Sequence, residues 1–152
     1  MRIGTWGLAA AVLLAGAAAA QAGQGAGDPG VVAGRQAGMR MSGAIMGGMK
    51  GAIDRGDDVK TQAFAARALA GWAKAIPGMF PAGSDKGATE ALPAVWSKRA
   101  EFEAKAAAYA AAATALADAA KAGDKAAFTT QFAAVRASCA ACHDGFKKPD
   151  QH

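Results

Sequence analysis

The sequence has few of the residues from which disulfide scaffolds and zinc sites are built. It contains two cysteines and two histidines among its 152 residues. Two cysteines exclude a disulfide-rich fold, and a zinc site would need more ligands than these, since only His152 remains outside one short motif. No strand-like alternation of apolar and polar residues is present either. These absences favour an all-α protein with little metal-binding capacity outside that motif.

Long apolar runs are absent except near the N-terminus. Residues 7–20 are all small or aliphatic, follow Arg2, and lead to Ala20-Gln21-Ala22, which has the form of a signal-peptidase site. Because the run is short for a bilayer, we expect a cleaved export signal over residues 1–22 rather than a membrane anchor. The mature protein would then be periplasmic, without a membrane-inserted segment. Residues 23–27 would form a flexible leader, 28–148 the folded domain and 149–152 a tail.

Charge of one sign is not concentrated anywhere in the chain. There are 17 Lys and Arg against 12 Asp and Glu, and loss of Arg2 with the signal would reduce the net charge from +5 to about +4. Basic residues are not clustered or interleaved with aromatics as on a nucleic-acid surface, so we expect no nucleic-acid partner. The mild positive balance favours redox protein partners with acidic surfaces.

Four helical stretches follow from apolar spacing and end signals. Asp28-Pro29 is an N-cap with a first-turn proline, the second stretch runs from Val59 to Pro77, and Pro93 begins the third. Gly123-Asp124 ends the third stretch and begins the fourth. The apolar stripes at heptad spacing are Val32, Met39, Met46 and Ile53 in the first helix, and Val95, Phe102, Tyr109 and Leu116 in the third. The predicted fold is an antiparallel four-helix bundle, with a long surface loop over residues 77–93.

The first helix is unusually rich in glycine. It contains Gly34, Gly38, Gly43, Gly47, Gly48 and Gly51, each of which costs a helix roughly 1 kcal/mol relative to alanine. Two interpretations are open. The small residues allow the backbone to approach a flat, bulky group, or the helix is simply weak and frayed.

The segment Cys139–His143 carries the most specific chemistry in the chain. The apolar positions of the fourth helix are Phe128, Phe132, Val135, Cys139, Cys142 and Phe146, at spacings of three and four, so both cysteines lie on the core-facing stripe. His143 shares that face. Cys-x-x-Cys-His is a haem-attachment motif, in which the thiols form thioethers with the haem vinyl groups and the imidazole binds iron.

We therefore predict one covalently bound haem c, held by Cys139 and Cys142 with His143 as an axial ligand. The alternatives are a disulfide or a thioredoxin-like dithiol, but a dithiol motif normally begins a helix after a strand, whereas this one ends the last helix. Only nine residues follow His143, so a second axial ligand must lie upstream. Apart from the initiator, the candidates are Met39, Met41, Met46, Met49 and Met79.

Four segments of the chain resemble one known family. They are Arg35 to Met39, Phe80 to Gly83, Trp96 followed by Phe102, and Cys139 to Lys147. Together they resemble the class II c-type cytochromes, the cytochrome c-prime family with its low-spin, methionine-ligated members, which are standard examples of up-down-up-down four-helix bundles. The resemblance spans nearly the whole mature chain.

The resemblance implies roles for several residues around the haem. Arg35, Gln36 and Met39 would belong to the haem-binding set, with Arg35 near the propionates and Met39 facing the iron opposite His143. In the family, the Met39 position carries either a methionine ligand or a non-bonding apolar residue. Lys147 stands where an arginine is common. The alternative interpretations are an exposed Arg35 and a Lys147 whose charge only favours the helix C-terminus. Trp72, Trp96 and Phe80 are expected to be core or loop anchors rather than electron relays.

Two functions are compatible with these residues. In the first, which the Arg-Gln-x-x-Met segment and the Met-rich first helix favour, Met39 completes six-coordinate iron and the protein carries electrons. In the second, Met39 only fills the pocket, and five-coordinate iron binds nitric oxide or carbon monoxide. We expect no enzymatic activity, because the first helix offers no histidine or carboxylate at the haem-facing positions. The resemblance also implies a homodimer through the first helix.

Overall fold

The computed structural model describes residues 29–149 and contains four long helices. The helices are α1 (Pro29–Arg55), α2 (Ala63–Ala75), the single turn α3 (Ala94–Ser97), α4 (Arg99–Ala122) and α5 (Lys125–Phe146), with 3-10 turns at Val59–Gln62 and Ile76–Met79. Between residues 29 and 149 there is no strand, only an isolated bridge between Ala91 and Lys147. The predicted all-α four-helix bundle is confirmed. The predicted signal and leader lie outside the described residues, as do Asp28 and residues 150–152.

The bundle is built around α4. This helix packs against both α2 and α5, while α1 packs against α2. The largest fully buried side chains are Phe102, Phe128, Met49, Leu69, Leu116, Val95 and Val135. Burying a side chain of this size contributes roughly 1.5–3 kcal/mol, so the apolar stripes account for most of the cohesion. None of the described helices is both long and apolar enough to span a bilayer.

The turn between α4 and α5 follows from two residues. Gly123 has a positive φ of 77°, which glycine adopts without strain, and its N–H donates to the carbonyls of Ala119 and Ala120. Asp124 then accepts a hydrogen bond from the Ala127 N–H at 2.9 Å. The predicted C-cap and N-cap are both present, and they place α5 antiparallel to α4.

The predicted third helix is interrupted at Lys98. Its φ of −116° and ψ of 46° are not helical, so the stretch that begins at Pro93 divides into α3 and α4. Residues on both sides of the break bind the preceding loop. The Trp96 indole donates to the Pro81 carbonyl at 2.9 Å, and the Arg99 guanidinium donates to the carbonyls of Phe80 and Pro77 at 2.9 and 2.7 Å. Trp96 is thus a loop anchor, as its sequence context indicated.

The loop over residues 77–93 runs at the surface, as predicted, and most of its residues are exposed or half-buried. Phe80, Ser84 and Thr89 are each at least nine-tenths buried. Its end pairs with the segment after α5, because the Lys148 N–H donates to the Glu90 carbonyl at 2.7 Å and the Leu92 N–H donates to the Phe146 carbonyl at 2.9 Å. The surface loop is thus anchored by three buried side chains, and polar side chains from elsewhere in the bundle hold it in place.

Candidate haem-binding site

A cavity of about 700 Å³ lies among α1, α4 and α5 and is bounded by the loop. This volume is within the range of small-molecule and cofactor sites, about 300–1,000 Å³. Its apolar lining is Met39, Met46, Ile76, Phe80, Val95, Phe102, Ala106, Phe132 and Phe146. Phe102 packs edge to face against both Phe80 and Phe146, so three aromatic rings form one continuous wall.

The predicted attachment residues all line this cavity. Cys139, Cys142 and His143 project from the last two turns of α5, and both cysteines are half-buried and free of a disulfide bond. Burial raises the pKa of both thiols, with the Lys105 ammonium opposing the shift at Cys142. A dithiol used for exchange chemistry has instead a depressed pKa, so the environment disfavours the thioredoxin-like alternative.

The α1 wall of the cavity carries two of the five candidate methionines. Met39 and Met46 line the cavity. Met41 is 63% exposed, and Met49 is fully buried in the hydrophobic core away from the cavity. Met79 lies behind α1, where its Cε is 3.7 Å from the place a Cβ on Gly34 would occupy. The structure thus reduces the possible sulfur ligands on this wall to Met39 and Met46.

The relative positions of α1 and α5 distinguish Met39 from Met46. Near one end, Ser42 on α1 and Cys139 on α5 both lie close enough to Tyr109 to influence its pKa. Near the other end, Arg35 binds Thr89 at 2.6 Å, and Lys148 binds the same residue's carbonyl at 2.9 Å. Along α1, Met39 lies between Arg35 and Ser42, and His143 lies between Cys139 on α5 and Lys148 just beyond that helix. Met46 is two helical turns further along, about 10 Å at 1.5 Å per residue.

Arg35 is a buried cation at the cavity and is only 2% exposed. Its guanidinium donates to the Ser84 hydroxyl and carbonyl at 2.8 Å each and to the Thr89 hydroxyl at 2.6 Å, and it lies 4.5 Å from the centre of the Phe80 ring. Burial lowers its pKa, but a guanidinium remains protonated. No carboxylate among residues 29–149 forms an ion pair with it.

The other two residues singled out by the resemblance lie at the loop end of the cavity. Gln36 lines the cavity, and its side-chain amide donates to the Ala88 carbonyl at 2.8 Å, so it helps to hold the loop. Lys147 also lines the cavity, and its ammonium lies 3.7 Å from the Glu90 carboxylate. The structure therefore brings every predicted site residue to one cavity. An exposed position for Arg35 is wrong, and Lys147 is partly buried.

Gly38 bears on the two interpretations of the glycine-rich first helix, which were close approach to a flat group or a weak, frayed helix. A Cβ on Gly38 would lie 2.4–2.6 Å from three atoms of the Trp72 ring, so the backbone does approach a flat group there, but the group is an indole. Gly43 and Gly47 line the cavity and have no heavy atom within 4 Å of an added Cβ. α1 is nevertheless continuous, so the glycines do not break the helix.

Several cavity residues had no recognisable signal in the sequence. Ser84 and Thr89 lie in an irregular loop where no periodicity marks a buried side. They belong to the site because their hydroxyls accept hydrogen bonds from the buried Arg35 guanidinium. Tyr109 fell on the predicted stripe of α4 but was assigned only to the core. Lys105, on a helix that carries none of the predicted site residues, lines the cavity near Cys142. Only a three-dimensional arrangement brings these residues together.

The residues present fit a covalently attached haem. Two protonated thiols and an imidazole share one face of α5, and the walls are largely apolar. The buried Arg35 guanidinium, which has no carboxylate partner among the described residues, would place positive charge near a propionate. Within the described part of the chain, no cluster of three or more His, Cys, Asp or Glu offers a different metal site. The donor set and the cavity are consistent with a single such group.

Comparison with known proteins agrees with this geometry. The family model described as "Cytochrome C'" matches residues 30–147. A cytochrome c′ from Pararhodospirillum photometricum is 40% identical over 84 residues, covering 55% of this chain and 67% of that protein. Cytochrome c-556 from Agrobacterium tumefaciens (strain B2A) is 34% identical over 116 residues, covering 74% of this chain and 93% of the relative.

Solved structures share the bundle. One is a nitric oxide complex of a mutant of cytochrome c prime from Alcaligenes xylosoxidans, which superposes with a TM-score of 0.74 at 27% identity. The match covers 83% of this chain and all of that one. The similarity therefore extends over the helices that form the cavity.

Proposed function

Because this chain belongs to the cytochrome c′ family and its single Cys-x-x-Cys-His motif provides for one haem c, we propose that it is a periplasmic electron carrier with His143 and Met39 as axial ligands. The observation that carries the proposal is the position of Met39. It lines the cavity on α1, as His143 does on α5, and both residues fall between the Ser42–Tyr109–Cys139 contacts and the Arg35–Thr89–Lys148 contacts.

The bound haem would supply Fe(III)/Fe(II) exchange, and a methionine ligand raises its reduction potential. The chain's own residues prepare the site for this use. Cys139 and Cys142 fix the group to a single helix, and the ring of Phe102 and its aromatic neighbours keeps water from one side of the cavity. Arg35, held rigid by Ser84 and Thr89, offers a fixed positive charge at the loop end.

Absorption spectroscopy of the purified holoprotein tests this assignment. We expect a low-spin spectrum in both oxidation states and little reaction of the ferrous protein with carbon monoxide. Met39→Ala should become high-spin and bind carbon monoxide readily, because it removes the sulfur. Met46→Ala, which truncates the other methionine on the same wall, should remain low-spin. A wild-type ferrous protein that is already high-spin and binds the gas without hindrance would reject the proposal.

A five-coordinate, gas-binding haem protein is the second candidate function. It is supported by the nitric oxide complex of the Alcaligenes xylosoxidans relative, which shares the fold over the whole of that chain. In this chain, the same position of Met39 would then shield the iron without binding it. The Met39→Ala variant separates the two functions, because an unchanged high-spin spectrum is expected only if Met39 is not a ligand in the wild type.

The proposal also includes export and the absence of catalysis. Mass spectrometry of the mature protein should give the mass of residues 23–152 plus one haem, and retention of the first 22 residues would contradict cleavage. The α1 residues that line the cavity include no histidine or carboxylate, and the one carboxylate that lines it, Glu90 in the loop, is paired with Lys147. Turnover of peroxide or nitrite well above that of free haem would contradict a purely electron-carrying role.

Self-association is a further part of the proposal. Family resemblance implies a homodimer through α1, and the large exposed side chain of Met41 lies on that helix. Sedimentation over a wide concentration range should show a dimer, and Met41→Glu should shift the equilibrium to monomer. A wild-type protein that stays monomeric throughout that range would dismiss the dimer.

A further inference from the structure

The charges around the cavity are distributed very differently from those of the remaining surface. Of the sixteen Lys and Arg residues between positions 29 and 149, six line the cavity, whereas only one of the ten Asp and Glu residues does. The six cations are Arg35, Arg40, Lys50, Lys105, Arg136 and Lys147, and the single carboxylate is Glu90. The mild net charge of the chain therefore hides a strongly positive site.

Half of these cations are already neutralised or buried. Arg35 is inaccessible, Lys50 pairs with Asp54 at 2.7 Å, and Lys147 pairs with Glu90 at 3.7 Å. The remaining three cations are exposed and form no ion pair with any carboxylate that the structure describes: Arg40, Lys105 and Arg136. We refer to these three residues as the cationic rim.

The cationic rim is assembled from three different helices. Arg40 comes from α1, Lys105 from α4 and Arg136 from α5, so the charges surround the cavity instead of following one helix face. Like charges around a low-dielectric cleft concentrate the electric field at its mouth and can raise association rates with an oppositely charged partner by 10- to 1,000-fold. The surface is thus arranged to attract negative charge toward the haem site.

We infer that the cationic rim is the docking surface for a redox protein that carries acidic residues around its own redox centre. This inference rests on the proposed electron-carrying function, since it names the partner of that site. Three cations spread over three helices suit a broad acidic surface better than one small anion, which needs convergent donors. Electron exchange also requires a second redox centre near the cavity, and an anionic lipid surface does not provide one.

Stopped-flow reduction of the ferric holoprotein by reduced plant-type ferredoxin, chosen as an acidic one-electron donor, tests the inference. The test variant is the triple Arg40→Gln, Lys105→Gln and Arg136→Gln. The control is the triple Arg67→Gln, Lys74→Gln and Lys121→Gln. The control makes the same change in net charge at exposed cations that do not line the cavity.

At low ionic strength we expect the rim triple to react about tenfold more slowly than the wild type and the control triple less than about twofold more slowly. The difference should vanish near 1 M salt, where the Debye length is about 3 Å. Equal losses in the two triples would show an effect of net charge alone and would overturn the inference, as would no loss in either. It would also be overturned if the rim triple lost binding to phosphatidylserine vesicles while its reaction with ferredoxin stayed unchanged.

Failure of this inference is distinguishable from failure of the proposed function. Reduction by the small cation hexaammineruthenium(II) does not require attraction to the cationic rim, and it should be unchanged or faster in the rim triple. If the wild type is low-spin and reacts with this reagent, the electron-carrying function stands whatever the variants do with ferredoxin. A wild type that is high-spin would instead reject the proposed function, independently of the charges.

Discussion

Replacing Gly38 by alanine would place a methyl group where the Trp72 ring now lies. The added Cβ would be 2.4 Å from Cη2 and 2.6 Å from both Cζ2 and Cζ3 of the indole, whereas ordinary contacts begin near 3.4 Å. Either the ring or α1 must therefore shift by about 1 Å. Overpacking of this kind typically costs 1–3 kcal/mol, against a gain of roughly 1 kcal/mol in helix propensity. We expect the substitution to be neutral to destabilising by about 2 kcal/mol.

Gly48, a second glycine in the same helix, separates the effect of the Gly38–Trp72 contact from the effect of helix propensity. Gly48 is exposed, and nothing lies within 4 Å of a Cβ added there, so Gly48→Ala should stabilise the protein by about 0.5–1 kcal/mol. The difference between the two variants is then the overpacking cost. Trp72→Phe should remove that cost, because it shortens the ring. It also sacrifices no hydrogen bond between described residues, as the buried Trp72 Nε1 has none there.

Guanidinium unfolding followed by far-ultraviolet circular dichroism measures these differences. The covalently attached haem remains on the unfolded chain, so its dissociation does not complicate the equilibrium. Gly38→Ala should lower the free energy of unfolding relative to Gly48→Ala by about 1–3 kcal/mol, and the deficit should disappear when both are made in a Trp72→Phe background. Equal stabilisation by the two alanines in the wild-type background would refute the role assigned to this contact.

Three further substitutions follow from contacts described above. Arg35→Met should lower the free energy of unfolding by about 3 kcal/mol or more, because it leaves the buried acceptors of Ser84 and Thr89 unpaired. Arg40→Met, at an exposed position of the same helix, should change the free energy of unfolding by less than about 0.5 kcal/mol. Equal losses from Arg35→Met and Arg40→Met in chemical denaturation would contradict the structural role of the buried Arg35. Burial raises the pKa of Tyr109 to about 12, above its usual value of about 10, so the stability from its neutral phenol is present below pH 10 and lost between pH 10 and about 12. Tyr109→Phe should lose less stability over that window, and ultraviolet titration of this single tyrosine near pH 10 would be inconsistent with its burial. Asp124→Ala should destabilise the protein by about 1 kcal/mol in thermal unfolding, because the Ala127 N–H loses its acceptor, and an unchanged midpoint would show that the cap contributes nothing.

The parts of the structure that depend on local rules were predictable from the sequence. The Gly123-Asp124 turn requires only a residue that tolerates positive φ followed by one that caps a helix, and both are read from adjacent letters. The grouping of Cys139, Cys142 and His143 on one face of α5 follows from helical periodicity alone. Periodicity also identified the buried stripe Val95, Phe102, Tyr109 and Leu116, because one side of that helix contacts the core. The stripe predicted for α1 is wrong in part: only Val32 is buried, while Met39, Met46 and Ile53 are half-buried and the two methionines line the cavity.

The features that escaped prediction depend on contacts between distant segments. Nothing near Arg35 in the sequence indicates that its partners are Ser84 and Thr89, about fifty positions later. The break at Lys98 arises within a strongly helix-favouring sequence, where the neighbouring Trp96 and Arg99 bind the loop. The family resemblance indicated Met39, but the sequence alone did not show that Met46 lines the same cavity while Met41, Met49 and Met79 do not.

Thr89 joins the two walls of the cavity. Its hydroxyl accepts a hydrogen bond from Arg35, on the helix that carries Met39, and its carbonyl accepts one from Lys148, just beyond the helix that carries His143. The spacing between these two walls therefore depends on a loop residue that belongs to neither helix. For evolution within such a fold, this means that changes in the loop can widen or narrow the cavity between α1 and α5. The Cys-x-x-Cys-His motif and the helix that bears it can meanwhile stay as they are.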